Sequence, residues 1–460
     1  MSVLKSLAAS FSAIALLATP ALVAAQLEAR NVILIIGDGM DDQQITIARN
    51  YLAGARGRLS LDQMPLRGVS QVLTVSEHGT PVYVADSANS ATALATGQVT
   101  SRGRIATSAG EDKPITSIIE IAEAAGLKTG LVSTASVTDA TPAAFVAHIN
   151  ARFCENPEAM KDVTFSGIRV GDCSHHLKAA GGLGSISEQI AVSGVDVVLG
   201  GGLTHFEVPA ENSSDTVIQV AEANGFHVVT TAGDMASAPK DKKLLGLFSP
   251  NTLPVRWQGE NGRTAEKPEP SWANHITQYI GSVKMPDPMV CEPNPDYAGT
   301  PSLKQMTDVA LDRLSNDRGF FLMIESASID KQSHERKPCG SIGELAQLNE
   351  AVDSALAYAK LFPNTLIIVT ADHGQAAQLI PEESLFAAFG VPVFTRGRLA
   401  RIKTPEGAIM GVNYATNDFI MEEHTGVNVP LFSNAVGVGL VPNMLVQPQI
   451  FEITRDYLGL

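Results

Sequence analysis

A three-layer α/β/α sandwich, built on a large, mainly parallel central sheet with a small late insertion, is the fold this sequence predicts. Three observations predict it. Short β-rich runs alternate with stretches of helical length, the pattern of a sheet built from crossover units. The runs are apolar almost throughout, as strands covered on both faces must be. Four of them end directly on acidic residues or histidine, at the edge where open α/β sheets place their sites. A chain of 460 residues has room for one large domain of this kind.

Taken in order, the chain opens with an address. Lys5 precedes an apolar run from Leu7 to Ala18, and Val23-Ala24-Ala25 offers small residues for cleavage. The run falls short of the roughly 20 apolar residues that span a bilayer, so a signal peptide over 1–25 is expected rather than an uncleaved anchor. The remainder, 26–460, is then expected to be a single periplasmic or secreted catalytic domain without membrane attachment. Buried strands are predicted at 31–36, 128–133, 196–199, 320–324 and 365–370. Helices are predicted over 115–125, 142–151, 185–192, 303–314 and 342–360. The segment 258–298, rich in Pro, Asn and Glu, reads as an irregular surface excursion. The segment 381–407 reads as part of an insertion subdomain at about 381–420.

Composition narrows the function. Lys and Arg number 33 against 48 Asp and Glu, a net charge of −15. A nucleic acid partner needs a basic face, so none is expected. A small phosphorylated substrate stays compatible, because a metal cluster inverts the field within a site. Cys154, Cys173, Cys291 and Cys339 form an even set behind an export signal, which predicts two disulfides. Three connectivities are open, and pairing neighbours closes the shortest loops.

The strand ends carry the chemistry. The first leads to Asp38, and the second to Asp139-Ala140-Thr141-Pro142. The fourth leads to Glu325 and then Asp330-Lys331-Gln332-Ser333-His334, and the last to Asp372-His373. One such end is weak evidence, since Asp often caps the next helix; four together are not. Asp38, Glu325, Asp330 and Asp372, once gathered and desolvated, repel one another unless protonated or bridged by cations. Asp330 and His334 lie one helical turn apart, and Asp372-His373 adds a second mixed pair. Imidazole with carboxylate suits zinc, whereas an all-oxygen set suits magnesium. Two zinc ions about 4 Å apart make a clamp for in-line displacement at phosphorus.

The nucleophile candidate is Ser87, within Val84-Ala85-Asp86-Ser87-Ala88-Asn89-Ser90-Ala91-Thr92. Small residues surround it where a helix can begin, and a helix N-terminus stabilises anions. A packed small-residue helix with Ser87 as its cap is the competing reading of those residues. No Gly-x-Ser-x-Gly elbow is present, which argues against a hydrolase triad.

These motifs resemble the bacterial periplasmic alkaline phosphatases, of the alkaline phosphatase superfamily. Gly37-Asp38-Gly39-Met40, Asp86-Ser87-Ala88, Asp139-Ala140-Thr141-Pro142, Asp330-Lys331-Gln332-Ser333-His334, Thr370-Ala371-Asp372-His373 and Glu423-His424-Thr425-Gly426 occur in the family's order. The resemblance covers nearly the whole chain after the signal. It implies hydrolysis of phosphate monoesters to alcohol and inorganic phosphate through a phosphoserine on Ser87. It implies one zinc on Asp330, His334 and His424, a second on Asp38, Asp372 and His373, and a magnesium on Asp38, Thr141 and Glu325. Arg152, an ordinary surface arginine by spacing alone, would grip two phosphate oxygens, a bidentate task. Lys331 and Asp139 would lie together beside the phosphate without binding metal. The cysteines match as Cys154–Cys173 and Cys291–Cys339.

A homodimer is implied too, although few residues separate the cleavage site from the first strand, and the family's N-terminal arm is nearly absent. Asp41 stands where relatives often have Gly, and Gln375 where many carry His, which bears on zinc affinity. A phosphodiesterase or sulfatase of the same superfamily is the rival activity. Serine at position 87, with Thr141, Glu325 and Arg152, favours monoesters. A non-catalytic relative would have lost a ligand or the nucleophile, and neither is lost. His148 reads as structural, on the helix leading to Arg152. His175-His176 read as surface residues.

Overall fold

Residues 29–165 and 167–460 are described by a computed structural model, and the predicted signal peptide lies outside them. Ten strands form the central sheet: β1 (Arg30–Gly37), β2 (Leu66–Gln71), β3 (Lys128–Ser136), β4 (Val197–Gly201), β5 (Phe226–Val229), β6 (Lys243–Leu247), β7 (Gly319–Ser326), β8 (Thr365–Ala371), β9 (Val429–Ser433) and β10 (Met444–Val446). Their order across the sheet is β10-β2-β9-β8-β1-β7-β3-β4-β6-β5. Neighbours run parallel except around β9, which is antiparallel to both β8 and β2.

The helices that position the site are α1 (Asp42–Ala53), α2 (Ser87–Thr96), α3 (Ile118–Ala124), α4 (Ala140–Ala144), α5 (Ile186–Val192), α6 (Leu303–Leu314), α7 (Ser328–His334), α8 (Pro338–Leu361) and α9 (Pro448–Leu458). Strand β1 explains the layering. Ile33 and Ile35 enter a core shared with α1, α6 and α8, while Val32, Leu34 and Ile36 enter another shared with α2, α3, α5 and α9. A strand apolar on both faces needs a helical layer on each. Each such side chain contributes on the order of 1.5–3 kcal/mol on burial.

The predicted strands correspond to β1, β3, β4, β7 and β8, the middle of the sheet. The remaining five lie toward its edges, three beyond β8 and two beyond β4. Their sequences carry weaker signals: Leu66–Gln71 includes Arg67 and Gly68, and Val429–Ser433 includes Pro430. The helix predicted over 142–151 is a correction. Helix α4 starts earlier and stops at Ala144, because Ile149 exchanges backbone hydrogen bonds of 3.0 Å with Ile105 and so leaves the helical path. His148 therefore sits on no helix. Its imidazole is buried between the Ala106 carbonyl and Glu120, at 2.9 and 3.1 Å, in a structural place.

The excursion at 258–298 is ordered rather than irregular. Trp257–Gly259 pairs with Cys291–Pro293, and Glu269–Pro270 with Val283–Lys284. A three-stranded antiparallel sheet of Gln378–Ile380, Ile409–Tyr414 and Arg398–Lys403 lies beside it, joined through bridges from Glu266 to Leu399 and from Met289 to Ile402.

Both disulfides form, Cys154–Cys173 and Cys291–Cys339. The second ties the excursion to the start of α8 across a sequence separation of 48 residues. Chain entropy assigns a loop of that length about 4 kcal/mol. Replacing both Cys291 and Cys339 by alanine should lower unfolding stability by roughly that amount. Urea unfolding of the oxidised proteins checks it, and a loss below ~1 kcal/mol would show that the closed loop is restrained in the unfolded chain by other means.

Candidate active site

Strand register places the first acidic groups. Gly37, at the end of β1, pairs with Ser326 of β7 on one side and Ala371 of β8 on the other. The chain therefore releases Asp38 and Asp372 from adjacent strand ends, with Glu325 on β7 between β1 and β3. The Gly39 N–H donates to Asp372 Oδ1 at 3.0 Å. Gly39 takes φ of +66°, and a Cβ there would stand 3.0 Å from the Asp330 Cβ, so the turn after Asp38 lies directly against a third carboxylate.

Two triads result. Asp38, Asp372 and His373 form one; Asp330, His334 and His424 form the other. In the first, His373 Nε2 lies 3.2 Å from Asp372 Oδ2 and 3.4 Å from Asp38 Oδ1. In the second, His334 Nε2 is 3.2 Å from Asp330 Oδ2, and His424 Nε2 is 3.4 Å from Asp330 Oδ1. The triads adjoin, with the His373 and His424 rings stacked at 3.6 Å. Oxygen donors adjoin the first triad, where Glu325 lies near enough to act on Asp38 and has Thr141 beside it. Glu325 accepts the Ser133 hydroxyl, and Thr141 Oγ1 is buried beside Glu325 in no well-formed hydrogen bond.

The imidazoles show what this arrangement requires. Each presents Nδ1 to a backbone carbonyl: His334 to Glu422, His373 to Gly374 and His424 to Ala85. A carbonyl only accepts, so Nδ1 carries the proton and Nε2 keeps its lone pair in the neutral ring. Yet His334 Nε2 and His424 Nε2 lie 3.0 Å apart. Two lone pairs that close need positive charge between them, as a proton or a metal ion. Burial disfavours an imidazolium at His424, but the Asp330 carboxylate overrides this and raises it to about 9. Burial drives His373 down to about 4.

The carboxylates show the same need. Burial, then Asp372, Asp330 and Glu325, push Asp38 well above the usual range, and burial raises Glu325 to about 7. Asp38 Oδ1 and Asp372 Oδ2 are buried without a hydrogen-bond partner, which native structures rarely tolerate. The donor sets fit divalent cations.

Ser87 opens α2. Asp86 caps it, its carboxylate accepting the Asn89 N–H while Asn89 Oδ1 accepts the Asp86 N–H, at 3.1 and 2.8 Å. Ser87 Oγ then stands 3.1 Å from His373 Nε2. It faces a cleft of about 800 Å³ also lined by Asp139, Arg152, Lys331, His334 and His424. Along the cleft, charges form a chain: Arg152 bonds Asp86 at 3.3 Å and Asp139 at 2.9 Å, and Asp139 bonds Lys331. Burial alone would raise Asp139, but Lys331 and Arg152 hold it well below the usual carboxylate range. Burial works against both cations as well, yet Asp139 keeps each of them charged.

Several positioning groups lie outside the motifs. Gln375 Nε2 donates to Asp330 Oδ1 at 2.6 Å, so the amide holds a carboxylate of the second triad. Asp41 caps α1 through the Gln43 and Gln44 N–H groups and also accepts the Gln375 N–H, tying the two departures from the family pattern together. Glu422 forms a buried 2.6 Å ion pair with Arg336 and anchors the approach to His424. A lone glutamate beside Glu423 gives no sequence signal. His205 pairs with Glu155 at 3.1 Å, and both line the outer cleft, where sequence assigned nothing. The surface reading holds for His175, which is exposed, and needs correction for His176. His176 is buried, and both rings reach Asp112.

The sequence model of the alkaline phosphatase family matches residues 29–429. An alkaline phosphatase of Escherichia fergusonii is 40% identical over 442 residues, covering 94% of this chain and 86% of that protein. A streptomycin-6-phosphate phosphatase of Streptomyces griseus is 39% identical, covering 94% of this chain and 91% of its own. Among solved structures, an alkaline phosphatase from the Antarctic bacterium TAB5 superposes with a TM-score of 0.66 at 23% identity, covering 94% and 99% of the two chains. That from Thermus thermophilus gives 0.64 at 21% identity, covering 94% and 92%. The last two share the fold; the first two, at their identity and coverage, share the family. The chain belongs to the alkaline phosphatase family of phosphomonoester hydrolases.

Proposed function

We propose that this protein hydrolyses small phosphate monoesters through a covalent phosphoserine on Ser87, as an exported enzyme holding two zinc ions and one magnesium ion. The observation that carries this reading is the position of Ser87 Oγ, at a helix N-terminus and 3.1 Å from His373 Nε2, within a cleft walled by Arg152 and Lys331. Asp38, Asp372 and His373 would hold one zinc, Asp330, His334 and His424 the other, and Asp38, Thr141 and Glu325 the magnesium. When bound, the ions lower the pKa of the serine hydroxyl and offset charge on the transferring phosphoryl group and the departing oxygen.

The chain's own residues bind and orient. The Arg152 fork, fixed between Asp86 and Asp139, is preset for two phosphoryl oxygens, and Lys331 adds charge for the dianion. Ser87 Oγ gives its proton to solvent and attacks phosphorus as the ester P–O bond breaks, and the alcohol leaves with a proton drawn from water, so no net proton is consumed. A water molecule then attacks the phosphoserine, releasing inorganic phosphate and restoring the hydroxyl. Export is supported by two disulfides, which persist in oxidising compartments. No helix among the described residues is long and apolar enough to cross a membrane. The homodimer belongs to this proposal by family likeness.

The test compares turnover of a phosphate monoester, a phosphate diester and a sulfate ester by the same preparation. Monoester turnover should dominate, and a sulfate or diester preference would overturn the assignment. Ser87→Ala should lose the acid-stable phosphoprotein formed from labelled substrate and slow turnover by ~10³-fold or more. Label on another peptide would remove Ser87 as the nucleophile.

Lys331→Ala should weaken inhibition by inorganic phosphate several-fold while leaving kcat equal or higher, because uniform binding of substrate and product governs KM and release rather than chemistry. Asp139→Ala should release Lys331 and raise the magnesium requirement. Inhibition constants that agree within about twofold would make the pair scaffold only, as expected of an ion pair worth under about 1 kcal/mol.

A further inference from the structure

We propose that Asp112, His175 and His176 form a separate zinc site, outside the catalytic cleft. His175 and His176 occupy a single turn, Ser174–His176, directly after the disulfide cysteine Cys173. Their Nε2 atoms converge on one oxygen of Asp112, at 2.7 and 2.8 Å, from a segment more than sixty residues away. The three donor atoms lie within 4.8 Å of one another. Two imidazoles and a carboxylate, with room for water, form the ordinary donor set of an open zinc site.

The surroundings favour a built site over a chance contact. Asp112 gives Oδ2 to the histidines, while its Oδ1 is held by Arg104 Nη1 at 2.6 Å. Arg104 is fixed in turn by Glu77 and by the Thr107 hydroxyl. A ligand carboxylate held by its second oxygen is the outer support that metal sites use to orient their ligands. His176 is buried, whereas the His175 side chain is 57% exposed, which leaves an approach for an ion and a place for water.

Zinc bonds of about 2.0–2.1 Å set tetrahedral ligand atoms roughly 3.3 Å apart. The catalytic triads already show 3.2–3.4 Å between imidazole and carboxylate. At Asp112 both gaps, 2.7 and 2.8 Å, must open by about half an ångström; rotation of the exposed His175 ring supplies the first, and a small shift of the Asp112 carboxylate relative to the buried His176 supplies the second. An ion here would pin the segment after Cys173 to the turn at 108–113, whose Ser108 N–H bonds the Lys113 carbonyl at 2.9 Å. Cys173 is bridged to Cys154, so the pinned segment continues into a loop that the disulfide already holds.

The experiment counts zinc. Holoenzyme at saturating magnesium is titrated with zinc in a chelator buffer, and metal per chain is measured by elemental analysis. Wild type should bind one more zinc per chain than the H175A/H176A double variant, and both should hydrolyse a phosphate monoester at the same rate in saturating zinc. Because His176 is buried, the milder H175Q variant is included. Its extra zinc should bind at least ~10-fold more weakly, with an unchanged melting temperature when only the tighter sites are filled. Equal zinc content in wild type and both variants throughout the titration would overturn the proposal, leaving the cluster as two imidazoles hydrogen-bonded to a carboxylate.

Discussion

Four carboxylates, Asp38, Glu325, Asp330 and Asp372, lie essentially out of contact with solvent around adjoining strand ends. An unpaired buried carboxylate is penalised by several kcal/mol even after relaxation, and neighbours of the same sign add to the penalty. Asp86 and Asp139 bring the count of acidic groups to six, against two permanent cations, Arg152 and Lys331. Those two cations are engaged by Asp86 and Asp139. The remaining four acids face each other across a gap lined by imidazole lone pairs. Divalent cations resolve this conflict where protons do so only at the expense of acidity. The need for positive charge at one point is the constraint that the rest of the structure serves.

The supporting shell follows from it. Each triad histidine is oriented by a backbone carbonyl on Nδ1, which fixes the tautomer and aims Nε2 inward. The carbonyls come from separate segments: Glu422, Gly374 and Ala85. The buried Arg336–Glu422 pair holds one of those segments, and Ala85 directly precedes the Asp86 cap of the helix that Ser87 opens. Positioning of the two triads and positioning of Ser87 are thus mechanically one problem. The chain Asp86–Arg152–Asp139–Lys331 extends the same frame across the cleft, so in the proposed reaction a phosphate dianion would meet donors already in place.

Much of this was legible in the sequence, for a physical reason. Central parallel strands are apolar on both faces, so β1, β3, β4, β7 and β8 stand out as continuous runs, and their ends announce Asp38, Asp139, Glu325 and Asp372. Outer strands such as β2 and β9 tolerate Arg67 or Pro430 and fade into the background. The two triads required the family resemblance as well as spacing, because nothing local brings His424 to Asp330 across nearly a hundred residues. The segment 142–151 has helical periodicity, but a tertiary bridge, Ile105 to Ile149, overrides local propensity there. Glu422, Ser133 and the Asp112 cluster carried no motif at all. Their roles exist only as contacts between distant segments, which a single sequence does not encode as a pattern.

Thermal unfolding of metal-stripped and metal-reloaded protein across about pH 5 to pH 8 tests the central claim most directly. With protein groups alone, Asp38 lies well above the usual range and Glu325 at about 7, whereas unfolded Asp and Glu titrate near 4. Folded-state values above the unfolded ones mean the folded chain binds protons more tightly, so stability falls as pH rises through that interval. The stripped protein should therefore lose melting temperature steadily toward pH 8. The reloaded protein should lose little, since cations stand where protons otherwise must. A stripped protein as stable at pH 8 as at pH 5, with a profile parallel to the reloaded form, would contradict the account.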